Sequence, residues 1–173
     1  MKTYLIPLAL ALVAIAQASA TETLNPGNLR FEGTIEGGTC NLIADDAERT
    51  ISLPPVKINH FEGVDSAGHK PFELSARCDS DISSITFTFQ GTPAPSDGAR
   101  FANTGDASGL ALWLYSNLGG VQQTIRADGS DSARTLTPSG GQAVLPLGAA
   151  YWKSGAVSEG SLESLATVDV TYN

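Results

Sequence analysis

The chain has 173 residues, a formal net charge of −8, 42% hydrophobic residues and two cysteines. That length suits a single domain with a full core. The acidic balance argues against a protein built to hold nucleic acid or an anionic membrane.

The first twenty residues read as a secretory signal peptide. Lys2 supplies the positive start, Leu5 to Ile15 an apolar run, and Ala18-Ser19-Ala20 a small-x-small cleavage site. The apolar run is too short for a bilayer span, which takes about 20 residues. The competing reading is a membrane anchor. Export would leave a mature chain starting at Thr21 with a net charge of −9, since Lys2 is lost.

Residues 21–33 begin polar and then carry Leu24, Gly27, Leu29 and Phe31. Gly27, Leu29 and Phe31 share one parity, while Leu24 is out of phase and needs a shift near Pro26. Taken alone, the segment also reads as a disordered N-terminus. Cys40 and Cys78 lie 38 residues apart. In an exported chain an isolated pair is most simply a disulfide, worth roughly 4 kcal/mol in loop entropy. Two free thiols are the alternative.

From there the chain alternates in short runs. Thr50 to Leu53 reads as a strand stopped by Pro54-Pro55. Phe72 to Cys78, Ile85 to Phe89 and Leu110 to Tyr115 each place apolar residues at every second position, the period of a strand. Val121–Ile125, Ala143–Leu147 and Ala166–Tyr172 continue the series. Gly91 to Gly109 reads as a long surface loop, and Ser158 to Leu165 has room for one helical turn. Many short strands between turn residues predict an all-β sandwich or barrel. In the last strand Val168, Val170 and Tyr172 face one way, and Thr167, Asp169 and Thr171 the other. An apolar strand so close to the terminus needs a neighbour.

Catalytic patterns are weak. His60 and His69 match no metal spacing and read as exposed loop histidines. Asp45, Asp46, Glu48, Asp79 and Asp81 read as solvated turn carboxylates. Gly105 to Gly109 has the wrong spacing for a nucleophile elbow. Trp113 and Trp152 read as core or edge aromatics, with sugar stacking as the alternative. The expectation is a protein that is not an enzyme and uses no cofactor or metal.

Together these residues resemble a subunit of a chaperone–usher fimbria of a Gram-negative bacterium, of the type 1 or P pilus kind. The motifs are the Phe31-Glu32-Gly33-Thr34-Ile35 run before Cys40, Asp79 after Cys78, Gly160 fourteenth from the end, and the penultimate Tyr172. The resemblance implies an incomplete immunoglobulin-like β-sandwich lacking its last strand and completed by donor-strand exchange. It implies a signal peptide at 1–20, a donor extension at 21–33 and a pilin domain at 34–173. Leu24, Gly27, Leu29 and Phe31 would enter a neighbour's groove. Gly160, Val168, Val170 and Tyr172 would form the acceptor groove and the chaperone-recognition surface. The implied partners are a periplasmic chaperone, an outer-membrane usher and neighbouring subunits, with no nucleic acid. The implied location is a surface fimbrium reached through the periplasm. The implied function is a structural subunit; the alternative is a tip or minor subunit that binds a carbohydrate or other receptor.

Overall fold

A computed structural model describes Arg30 and residues 33–173. The predicted donor residues Leu24, Gly27, Leu29 and Phe31, like the leader, lie outside the described residues. Residues 36–173 form one unit, built from ten strands: β1 (Cys40–Leu42), β2 (Ser66–Cys78), β3 (Ile85–Gly91), β4 (Pro93–Ala94), β5 (Asp97–Ala102), β6 (Leu110–Leu118), β7 (Val121–Thr124), β8 (Ala133–Leu136), β9 (Gln142–Lys153) and β10 (Ala166–Tyr172).

The strands make two antiparallel sheets. A seven-stranded sheet runs β1-β2-β9-β6-β5-β4, with β7 also paired to β6; a three-stranded sheet runs β10-β3-β8. The core lies between them. Ile85, Phe87 and Phe89 point inward from β3 to meet Leu74, Phe101, Leu114, Leu145 and Leu147 of the larger sheet. These inward residues occupy alternate positions, as a sandwich with one solvated face per sheet requires. The fold is the expected all-β, immunoglobulin-like sandwich.

Three segments differ from the sequence expectation. Thr50 to Leu53 joins no sheet. Before it, a single helical turn (Ala44–Ala47) docks on β2. Asp46 there accepts the Ser75 N–H at 2.8 Å, and Arg49 donates to the Glu73 carbonyl at 3.0 Å. Those side chains occupy backbone groups of β2 that a continuing strand would have used. The stretch Gly91 to Gly109 is not one loop. It contains β4 and β5, and Phe101 of β5 is fully buried opposite Leu112. Ser158 to Leu165 forms no helical turn; it runs extended beside residues 103–109. Ala107 N–H donates to the Ser161 carbonyl at 3.0 Å and Thr104 N–H to the Glu163 carbonyl at 2.8 Å. A 3₁₀ turn at Ile58–Phe61 and strand β8 were not anticipated.

Candidate functional site

The predicted disulfide is formed. Cys40 and Cys78 face each other in the β1–β2 ladder, both buried. The carboxylates beside it are spent on backbone. Asp79 accepts the Thr39 N–H and Asp81 the Gly38 N–H, each at 2.8 Å. Gly38 leaves the space for this, because a Cβ there would collide with Asp81. These acids therefore fasten the approach to β1, a positioning job and not acid–base chemistry. Asp46 is used likewise, against Ser75 and Arg49.

The C-terminal strand lies as its alternation predicts. Val168 sits opposite Phe89, Val170 opposite Phe87 and Tyr172 opposite Ile85. Val168 and Val170 pack on the core but stay half-exposed, and Tyr172 is 44% exposed. On the other face Asp169 accepts from Gln90 Nε2 at 2.5 Å. The strand end is held by reciprocal bonds: Ser84 N–H donates to the Asn173 oxygen at 2.9 Å and Asn173 N–H to the Ser84 carbonyl at 3.0 Å.

Those last bonds fix the direction of every backbone group in β10. In an antiparallel ladder, hydrogen-bonded and non-hydrogen-bonded pairs alternate. With Asn173 and Ser84 bonded, residues 171, 169 and 167 bond to β3. The N–H and C=O groups of Val168, Val170 and Tyr172 then point the other way. Among the described residues no strand pairs with that side. The nearby edge strand of the larger sheet is β1, which approaches β10 without joining it in a ladder. Leu42 of β1, like Val168 and Val170 of β10, is half-buried and packs against the core. On the β10 side, and among the described residues, outward backbone groups without a strand partner alternate with apolar side chains.

Gly160 lies six residues before β10. Its φ of 142° favours glycine, and a Cβ would collide with the Ala107 backbone. It lets the approach to β10 lie close against the 103–107 loop. Asp106 tightens that contact: it accepts from the Ser161 hydroxyl at 2.6 Å and the Ser161 N–H at 2.5 Å. These bonds hold the Asp106 carboxyl below its ordinary value of 3.8.

The histidines separate. His60 is exposed on the 3₁₀ turn. His69 is exposed too, but it belongs to β2 and not to a loop. Its Nδ1 lies 3.2 Å from the Tyr115 hydroxyl, and its ring meets Trp113 edge-on at 5.6 Å. Trp113 and Trp152, distant in sequence, also meet, with ring centroids 5.5 Å apart. The β6–β9 register, which sets Ala111 opposite Trp152 and Trp113 opposite Ala150, creates this contact. Nothing in the local sequence around either tryptophan signals it.

Comparison with known proteins places the chain in a family and agrees with its fold. The family model described as "Fimbrial protein" matches residues 29–173. The chain is 26% identical over 172 residues to the type-1 fimbrial protein C chain of Escherichia coli, covering 95% of this chain and 93% of that one. It is 29% identical over 161 residues to the minor fimbrial subunit HifD of Haemophilus influenzae, covering 85% of this chain and 74% of that protein. Its fold resembles that of the P pilus rod subunit PapA, with a TM-score of 0.62 at 20% identity over 78% of this chain and 99% of that one. With the match running through the whole sandwich and its open-edged terminal strand, the chain belongs to the fimbrial protein family, as a pilus subunit and not an enzyme.

Proposed function

We propose that the chain is a structural subunit that polymerises by strand donation, with the β10 edge as acceptor. The observation that carries this reading is the run of outward backbone groups at Val168, Val170 and Tyr172 above half-buried apolar side chains. Such an edge attracts a further strand. An extended peptide laid there gains main-chain hydrogen bonds, and its alternate side chains enter a slot beside β10. The donor is the 21–33 segment of another copy, presenting Gly27, Leu29 and Phe31 on one face with Leu24 ahead of them. Residues 34–173 form the acceptor domain. Gly160 acts at one remove, by fixing how the chain enters β10.

Donation from one chain to the next is heterologous, and a heterologous contact that does not close on itself makes a filament. Before assembly the slot needs a temporary cover. A periplasmic chaperone supplies that strand and an outer-membrane usher exchanges it for the neighbour's, after export directed by residues 1–20. The polymer stands on the cell surface as a fimbrium.

The test is to append residues 21–33 to the C-terminus through a short linker. A strand that fills the slot should raise the thermal midpoint by roughly 10 °C or more. Val170→Asp in the same extended chain should abolish that gain. An unchanged midpoint in the extended chain would refute strand donation.

A further inference from the structure

The outward face of the seven-stranded sheet carries a group that the filament reading leaves unused. Arg100 of β5 is only 8% exposed, yet it makes no salt bridge among the described residues, and its Nε is buried without an acceptor. Its guanidinium carbon lies 3.8 Å from the Trp152 ring centroid and 5.5 Å from that of Trp113. A buried cation normally has an anionic or hydrogen-bonding partner, because desolvating it alone is costly. Cation–π contact with two indoles offsets part of that cost but supplies no hydrogen-bond acceptor.

The surroundings are built, not incidental. Arg100 and Ala102 flank inward-facing Phe101, so they share the outer face. Trp113 is held by its Nε1 donating to the Thr124 hydroxyl at 3.0 Å. Tyr115 lies across Gly148, where a Cβ would strike its ring, and its hydroxyl reaches His69. His69, Tyr115, Trp113, Trp152 and Arg100 thus form one band across β2, β6, β9 and β5. Half-exposed indoles suit the C–H face of a sugar ring, and the imidazole adds a polar group at one end. A planar guanidinium suits a carboxylate, which can accept from its two terminal nitrogens, the buried Nε being closed to solvent.

We propose that this band is a binding site for an acidic sugar, with Arg100 taking the carboxylate and the Trp113–Trp152 pair taking the ring. The guanidinium, with only the Asp97 charge nearby to offset its own and no acceptor at Nε, distinguishes it from a purely apolar patch and selects a uronic- or sialic-acid type over a neutral hexose. The site lies on the larger sheet, so it operates whether or not the β10 edge is filled.

Both tryptophans of the chain belong to the band, so intrinsic fluorescence reads it without a label. The intact, disulfide-bonded chain is titrated with glucuronic acid, its methyl ester, N-acetylneuraminic acid, glucose and free glutamate. The expected result is a saturable change in emission with an acidic sugar, about tenfold or more tighter for glucuronic acid than for its ester. Arg100→Gln should remove that preference, with circular dichroism confirming the fold. If Arg100→Gln does not fold, the acid–ester comparison on the unaltered chain decides alone. Equal binding of acid and ester, no saturable response to any sugar, or an unchanged preference in a folded Arg100→Gln chain would overturn the proposal. Binding of glutamate as tight as that of the acidic sugars would also overturn it, and would assign Arg100 to an acidic side chain of another protein molecule.

Discussion

The two edges of the three-stranded sheet are treated in opposite ways. At β8 the strand is only four residues long, and its inward side chains are Arg134, 4% exposed, and half-buried Leu136. Arg134 donates to the Ser116 hydroxyl and the Thr124 carbonyl, each at 2.7 Å, and pairs with Asp131 at 2.9 Å. That clasp ties the short edge to β6 and the β7 end, two of the devices by which sheets blunt an edge. At β10 the strand is seven residues long, its inward residues are Val168, Val170 and Tyr172, and no comparable clasp crosses the slot among the described residues. One sequence closes one edge with a buried charge and leaves the other lined with valine. The contrast teaches that the open edge is local to β10 and not a general looseness of the sheet.

Phe87 of the central strand stands between the two edges, opposite Val170 on one side and Arg134 on the other. Phe87→Ala should therefore weaken both at once and cost about 3–5 kcal/mol in urea unfolding. Arg134→Leu should unfasten β8 alone. It takes the donor from the Thr124 carbonyl, leaves the Ser116 hydroxyl only its 3.4 Å bond to the Gln123 carbonyl, and should cost about 3 kcal/mol by the same measurement. If Arg134→Leu costs nothing, the clasp is ornamental and the two edges differ less than their contacts indicate. Thr135→Ala removes the cross-strand hydroxyl pair with Thr86, 2.7 Å apart on the solvent face. It should cost about 0.2–1 kcal/mol.

The mildest probe concerns the approach to β10. Asp106 has a lowered carboxyl pKa because it accepts from Ser161. A depressed folded-state pKa gives stability that is present above the unfolded value and lost as pH falls through the folded one. The Ser161 amide shift, followed by NMR, should therefore titrate with a midpoint below 3.8. Asp106→Asn should remove the titration.

What the sequence revealed followed the same division. β10 was legible to the residue because its inward positions are apolar and its outward ones polar, so the period of two stands out. β8 was missed because only Leu136 marks its inward face; the other inward residue is Arg134, whose burial depends on carbonyls and a hydroxyl contributed by β6 and its surroundings. β5 was hidden among small and polar residues, with Phe101 the one bulky apolar side chain to mark it. Thr50 to Leu53 has strand composition, yet Asp46 and Arg49 had already occupied the neighbouring stretch of β2. Trp113 and Trp152 were visible singly. Their meeting depends on strand register, and the burial of Arg100 depends on both; neither can be read from local pattern.

The close fit of the Tyr115 ring over Gly148 also offers a way to sort sequences. Any side chain at position 148 would push Tyr115 away from His69 and crowd the neighbouring indole. A related chain carrying alanine or larger there is expected to have lost the band, however well its sandwich folds. Glycine at that position, together with an arginine at 100 and tryptophans at 113 and 152, is a four-letter diagnostic for relatives that share this surface.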